Sequence, residues 1–131
     1  MHDGTFSAYG IPPHRSKKKR KNKKNTEKKP DKLAMIHVDR NKNEKRFTFR
    51  EMSRLSSRAA NYFKAMGIQR GDRVMLVLKR HYQFWFAILG LHKLGAIAIP
   101  ATNQLVEHDF TYRFNAAGVS AVLCTADGDT A

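Results

Sequence analysis

Few side chains in this 131-residue sequence stand at spacings that perform chemistry. His81 and His92 are too widely spaced to share one face of a helix as metal ligands, and no H-E-x-x-H run occurs. His108 and Asp109 are sequence neighbours, which by itself gives no triad geometry. Ser53, Ser56 and Ser57 have no placed base and read as surface hydroxyls. Cys124 sits in an apolar run, where a thiol is inert. A single cysteine also excludes an intrachain disulfide and a cysteine zinc cluster, and it fits a reducing compartment. None of the eight glycines opens a G-x-x-x-x-G-K-[ST] or G-x-G-x-x-G phosphate pattern. Tyr82, Trp85 and Phe86 read as core packing rather than a cofactor box. The residues thus define no catalytic group and no metal-ligand set. What remains is Thr102, Asn103 and Gln104, directly after an apolar run that Pro100 closes. Ligands of open α/β sheets gather outside the carboxyl ends of the strands, so this loop is the candidate binding site.

The elements that would position that loop are legible as a βαβ unit. Gly71-Asp72 is a turn signal, and Arg73–Leu78 is a nearly unbroken apolar run, as in a parallel strand covered on both faces. A helix follows over His81–Leu94, with Gly95 as its left-handed stop. Ala96–Ile99 is the second strand. The helix is apolar nearly all round, so it must be buried on more than one side. About a hundred residues cannot cover it well, and the chain is expected to belong to a larger body. Val106–Ala117 forms a further helix with Phe110, Phe114 and Ala117 on one face, stopped by Gly118. Ser120–Cys124 is a third strand of the buried type, and Thr125–Asp129 a loop or helix start. A covering helix after that strand would complete a doubly wound layer, and its absence implies a truncated domain.

Upstream, Leu33–Val38 and Arg46–Phe49 form a β-hairpin across a polar connection. Thr48 and Glu51 spell a capping box, with Phe47 and Met52 placed for a hydrophobic staple. The helix they open runs to Met66, with Met52, Leu55, Ala59, Tyr62/Phe63 and Met66 as its apolar stripe and Gly67 as its stop. The chain carries a net charge of +14, unevenly spread. Residues 1–32 hold 11 of the 25 Lys and Arg and three of the 11 acids. Residues 1–29 therefore read as a disordered basic leader, and residues 30–131 as one partial domain. A block of like charge attracts polyanions without regard to sequence. Residues 15–29 thus support an alternative function as a nucleic-acid-binding or protein-interaction module. No aromatic side chain is interleaved there for base stacking. No stretch is long and apolar enough for a transmembrane segment or a signal peptide, so the expected location is cytoplasmic.

The ordered set of motifs resembles a known family. Phe47-Thr48-Phe49-Arg50-Glu51-Met52, then Gly67-Ile68-Gln69-Arg70-Gly71-Asp72-Arg73-Val74, is similar to the opening of the AMP-forming acyl-CoA synthetases, members of the adenylate-forming superfamily. Leu94–Ala101 resembles that family's K-x-G-A-x-x-x-P segment. Thr102–Leu105 with Asp109–Arg113 is most similar to the branch of medium-chain acyl-CoA and acetyl-CoA synthetases. The resemblance implies the fold: the N-terminal part of a doubly wound, mainly parallel α/β sheet. It also implies the reaction. A small-molecule carboxylic acid attacks ATP, with Mg²⁺ balancing charge, and the acyl-adenylate then passes its acyl group to CoA. The family's catalytic motifs would lie beyond Ala131, so the chain alone is expected to be inactive. By the same resemblance Gln104 matches a CoA contact.

Overall fold

The computed structural model describes residues 26–79 and 81–126. The expected basic leader lies outside the described residues up to Asn25, and so does the expected loop or helix start from Asp127 onward. The chain divides into two compact units, residues 1–54 and 55–131.

In the first unit, β1 (Leu33–Val38) pairs antiparallel with β2 (Glu44–Thr48), with an irregularity in register between Leu33 and Met35. The connection is built on Asp39. Its carboxylate accepts from the backbone of Asn41 and Asn43 at 2.8 Å each, and from the Asn43 amide at 2.9 Å. These bonds hold the five-residue turn in which Lys42 takes a positive φ of 62°. The second strand begins two residues earlier than its apolar residues indicate and ends at Thr48, so Phe49 belongs to helix α1 (Phe49–Ala65). The capping box explains the boundary. Glu51 N–H donates to Thr48 Oγ1 at 3.2 Å, and Thr48 N–H donates to Glu51 Oε2 at 2.8 Å. Two further amides of the first turn are answered by backbone: Phe49 donates to Lys32 O and Arg50 to Pro30 O.

In the second unit, β3 (Arg73–Val77), α2 (Gln83–Leu94), β4 (Ile97–Pro100), α3 (Glu107–Ala117) and β5 (Ala121–Cys124) alternate. The three strands are parallel, in the order β4-β3-β5. The central strand is the most buried: Val74, Met75, Leu76 and Val77 are each at most 1% exposed. Val74 and Leu76 share one core with Phe63, Ile68, Ala87, Leu91 and Ala96. Met75 and Val77 alternate to the opposite face and are equally buried, so both faces are covered, as a doubly wound sheet requires. Gly95 ends α2 at φ +86°, a conformation L side chains rarely adopt, and its N–H caps the helix end.

Several expectations need correction here. Ser56 is not a surface hydroxyl but 1% exposed. It lies where α1 and α2 cross: a Cβ at Gly90 would fall 2.9 Å from Ala59 Cβ, 2.9 Å from Ala60 N and 3.0 Å from Ser56 O. Backbones that close leave room only for small side chains, so a serine fills the contact. The stripe of α1 ends at Phe63, since Tyr62 and Met66 are exposed. β5 is an outer strand, with Val122 at 42% exposure, and Cys124 is half-buried rather than enclosed.

Candidate functional site

The path of the chain selects one end of the sheet. From β3 the chain crosses through α2 to β4 on one side, then through α3 to β5 on the other. Parallel crossovers are right-handed. Two crossovers in opposite directions must therefore pass over opposite faces. The connections after β3 and after β4 leave the carboxyl edge toward opposite faces, which opens a crevice between them. α2 shares the Val74 and Leu76 face through Ala87 and Leu91. Where β4 leaves this edge, Ala101 N–H donates to Leu76 O at 2.9 Å.

Beyond that bond Thr102, Asn103 and Gln104 are all exposed. The Gln104 N–H donates to Thr102 Oγ1 at 3.2 Å, so the threonine hydroxyl fixes the turn that carries the glutamine. Leu105 is half-buried and returns the chain to α3, whose first turn is tied by Val106 N–H to Asp109 Oδ2 at 3.3 Å. The loop is thus anchored at both ends, with its polar side chains outward. An amide at such a position both donates and accepts, which suits the amide groups of an extended ligand.

On the β3 side of the crevice stand His81, exposed, and Tyr82, half-buried with its ring edge-on to Phe86 at 5.8 Å. Reading single residues did not assign His81 to the site, and only the strand order brings its loop to the same edge. The other residues weighed from the sequence fall elsewhere. His108 pairs with its neighbour Asp109 at 3.3 Å on the exposed start of α3. Ser57 accepts from Lys93 Nζ at 2.8 Å between α1 and α2. Among the described residues no three His, Cys, Asp or Glu side chains gather to hold a metal ion. No helix of the described residues is long and apolar enough to cross a membrane.

These features define an open, doubly wound parallel α/β unit, the class in which ligands gather at a switch point of the sheet. The sequence profile of the AMP-binding enzyme matches residues 22–131, and the chain belongs to that family. Its relatives include the mitochondrial acyl-coenzyme A synthetase ACSM3 of Homo sapiens, 36% identical over 97 residues, which span 73% of this chain and 17% of the relative. The mitochondrial ACSM2A of Homo sapiens is 41% identical over 78 residues, 59% of this chain and 14% of the relative. Among solved structures, the N-terminal domain of FACL13 from Mycobacterium tuberculosis superposes with a TM-score of 0.71 at 28% identity, covering 80% of this chain and 26% of that one. The acyl-CoA synthetase of Brucella canis gives 0.69 at 25% identity, covering 72% of this chain and 18% of that one. The chain therefore spans about a sixth of the length of the curated relatives it matches. The doubly wound parallel sheet and the synthetase resemblance are both borne out.

Proposed function

We propose that this chain is the N-terminal section of an AMP-forming acyl-CoA synthetase that joins a small-molecule carboxylic acid to CoA at the expense of ATP. The observation that carries the reading is the family match over residues 22–131. Residues 30–131 are the proposed partial AMP-binding domain. ATP and Mg²⁺ are the proposed co-reactants of the whole enzyme, but the residues here do not fit them. The sequence has no phosphate loop, and the described part has no metal cluster. No step through either group is derived on this chain. CoA is different, because Gln104 presents an exposed amide at the carboxyl edge of β4, on a turn held by Thr102. Its proposed role is to bind and orient CoA, leaving adenylation to residues elsewhere.

The test is a chimera in which residues 26–131 replace the matching segment of a full-length acyl-CoA synthetase. The expected result is retained acyl-CoA formation. Gln104→Ala in that chimera is expected to raise KM for CoA about tenfold, the loss of roughly one hydrogen bond. Carboxylate-dependent exchange of pyrophosphate into ATP should be unchanged. A folded chimera without the exchange reaction overturns the synthetase reading. An unchanged KM for CoA overturns the role of Gln104 alone. The proposed location is cytoplasmic, on the single cysteine and its fit to a reducing compartment. The relatives' mitochondrial names make the mitochondrion the competing location, and cell fractionation separates the two.

A further inference from the structure

Gln104 gives a role to one wall of the crevice and leaves the other, on the β3 side, without one. We infer that His81 is a second contact for the ligand that Gln104 meets, its imidazole N–H donating to a phosphate while Gln104 takes the uncharged amide chain. This role rests on the synthetase reading, because CoA carries phosphates and an amide chain in one molecule.

Strand order brings the two residues to one edge. β3 and β4 are parallel neighbours, and Leu76 and Pro100 are Cα partners in their register. The two connections therefore leave the sheet level with each other. Neighbouring strands lie about 4.8 Å apart, so an extended ligand that meets one loop lies within reach of the other. The His81 backbone is fixed on its side of the crevice. His81 N–H donates to Lys79 O at 2.7 Å, and Phe84 N–H donates to His81 O at 3.2 Å. Tyr82 follows, half-buried with its ring edge-on to Phe86, whereas His81 itself is exposed. A side chain carried on an ordered backbone costs less to recruit than one on a loop that must first be ordered.

Charge decides which group of the ligand goes to which wall. No Asp or Glu occurs from Arg73 to Val106, a span that holds both loops. On the β3 side Lys79 is exposed, and the first turn of α2 carries no acid. Carboxylates begin on the other side, with Glu107 and Asp109 in the first turn of α3. Glu107 is exposed, while Asp109 is engaged by Val106 N–H and by His108. A phosphate beside Gln104 would face those carboxylates, and like charges brought together in an interface are costly. Beside His81 it meets a basic side chain and a ring donor instead. Imidazole offers an N–H in either protonation state, so the contact does not require a charged histidine. The Gln104 amide donates and accepts without net charge, which suits the amide chain.

The experiment titrates the full chain with CoA, with pantetheine, which keeps the amides and lacks every phosphate, and with inorganic pyrophosphate. NMR follows the His81 ring protons and the Gln104 side-chain amide, assigned from His81→Ala and Gln104→Ala. CoA is expected to shift both signals, and pantetheine the Gln104 amide alone. His81→Ala is expected to weaken CoA binding about tenfold or more, the loss of one hydrogen bond to a charged group, and to leave pantetheine binding as it is. His81→Gln keeps an N–H donor and should retain part of the affinity. The side chain is exposed, so circular dichroism should be unchanged. Absence of a His81 shift with CoA overturns the contact, and so does an equal shift with pantetheine. CoA affinity unchanged in His81→Ala overturns it as well. Pyrophosphate binding as tightly as CoA overturns the shared ligand. Pyrophosphate exchange in the chimera does not involve CoA, so exchange retained without a His81 shift removes the role of His81 alone, whereas exchange lost removes the synthetase reading.

Discussion

Replacing Gly90 by alanine tests the helix crossing that holds α2 against α1. The added methyl would stand 2.9 Å from Ala59 Cβ, 2.9 Å from Ala60 N and 3.0 Å from Ser56 O. Two of these three neighbours are backbone atoms, which cannot rotate away. The helices must therefore separate by roughly half an ångström or more, in a packed interior that resists it. Overpacking of this kind costs about 1–3 kcal/mol, and the backbone contacts place this case in the upper half of that range. Against it stands the better helix propensity of alanine, about 1 kcal/mol. The expected net loss is about 1–2 kcal/mol, on the order of 5–15 °C in Tm for a domain of this size. Urea unfolding followed by circular dichroism measures it, as a lower midpoint at unchanged slope. Ala59→Gly in the same background should restore only part of the loss, since Ala60 N and Ser56 O still meet the methyl. A double-mutant cycle reads that coupling. A Gly90→Ala chain as stable as the wild type, or more so, refutes the close crossing.

Other perturbations separate the remaining contacts. Thr48→Ala removes one half of the capping box of α1 and is expected to cost about 1 kcal/mol in urea unfolding, whereas Thr48→Ser should cost less. Leu76→Ala empties a side chain with no exposed surface at the centre of the sheet, and a loss of about 2–5 kcal/mol is expected in the same assay. The Asp39 carboxyl is held below its ordinary value of 3.8, chiefly by the Asn43 side-chain amide and then by the Asn43 backbone amide. Its charged form is the bonded form, so the turn bonds are fully present above the ordinary value and are lost as pH falls through the lower, folded one. Carboxyl carbon shifts followed by NMR should show that titration, and Asn43→Ala should move it back toward the ordinary value.

The structure shows which features were local enough to read from sequence. The capping box is one, because Thr48 and Glu51 answer each other within four residues. The β3 run is another, since a strand buried on both faces leaves an uninterrupted apolar record. Ser56 was misread for the opposite reason. Its burial depends on Gly90 of the next helix, and a serine on its own carries no mark of that distant partner. Val122 was misread because an outer strand and a central strand of a parallel sheet have the same composition. Their difference lies in the order β4-β3-β5, which is a tertiary fact. The loop at residues 102–104 was legible as a strand-end loop, and the role of Gln104 came from family resemblance.

The two edges of the sheet do different work, and that division argues for the loop as the place of binding. At the amino edge the entering turns are tied to one another. Gly71 N–H donates to Gly95 O at 3.0 Å, Ile97 N–H to Asp72 O at 2.7 Å, and Ser120 N–H to Arg73 O at 2.8 Å. The Asp72 carboxylate also accepts from Gln69 N–H at 2.8 Å. The first three of these bonds join segments far apart in the chain, so this edge fixes the strand register. At the carboxyl edge Ala101 N–H donates to Leu76 O, and on the loop beyond it Gln104 N–H bonds locally to Thr102 Oγ1. A sheet clamped at one end and presenting outward polar groups at the other can hold a ligand without spending its own stability to do so. The candidate loop then needs only a defined starting point, which Ala101 supplies, and a short turn of its own, which Thr102 supplies. Substitution at Asn103 or Gln104 is therefore expected to leave the register of the strands as it is.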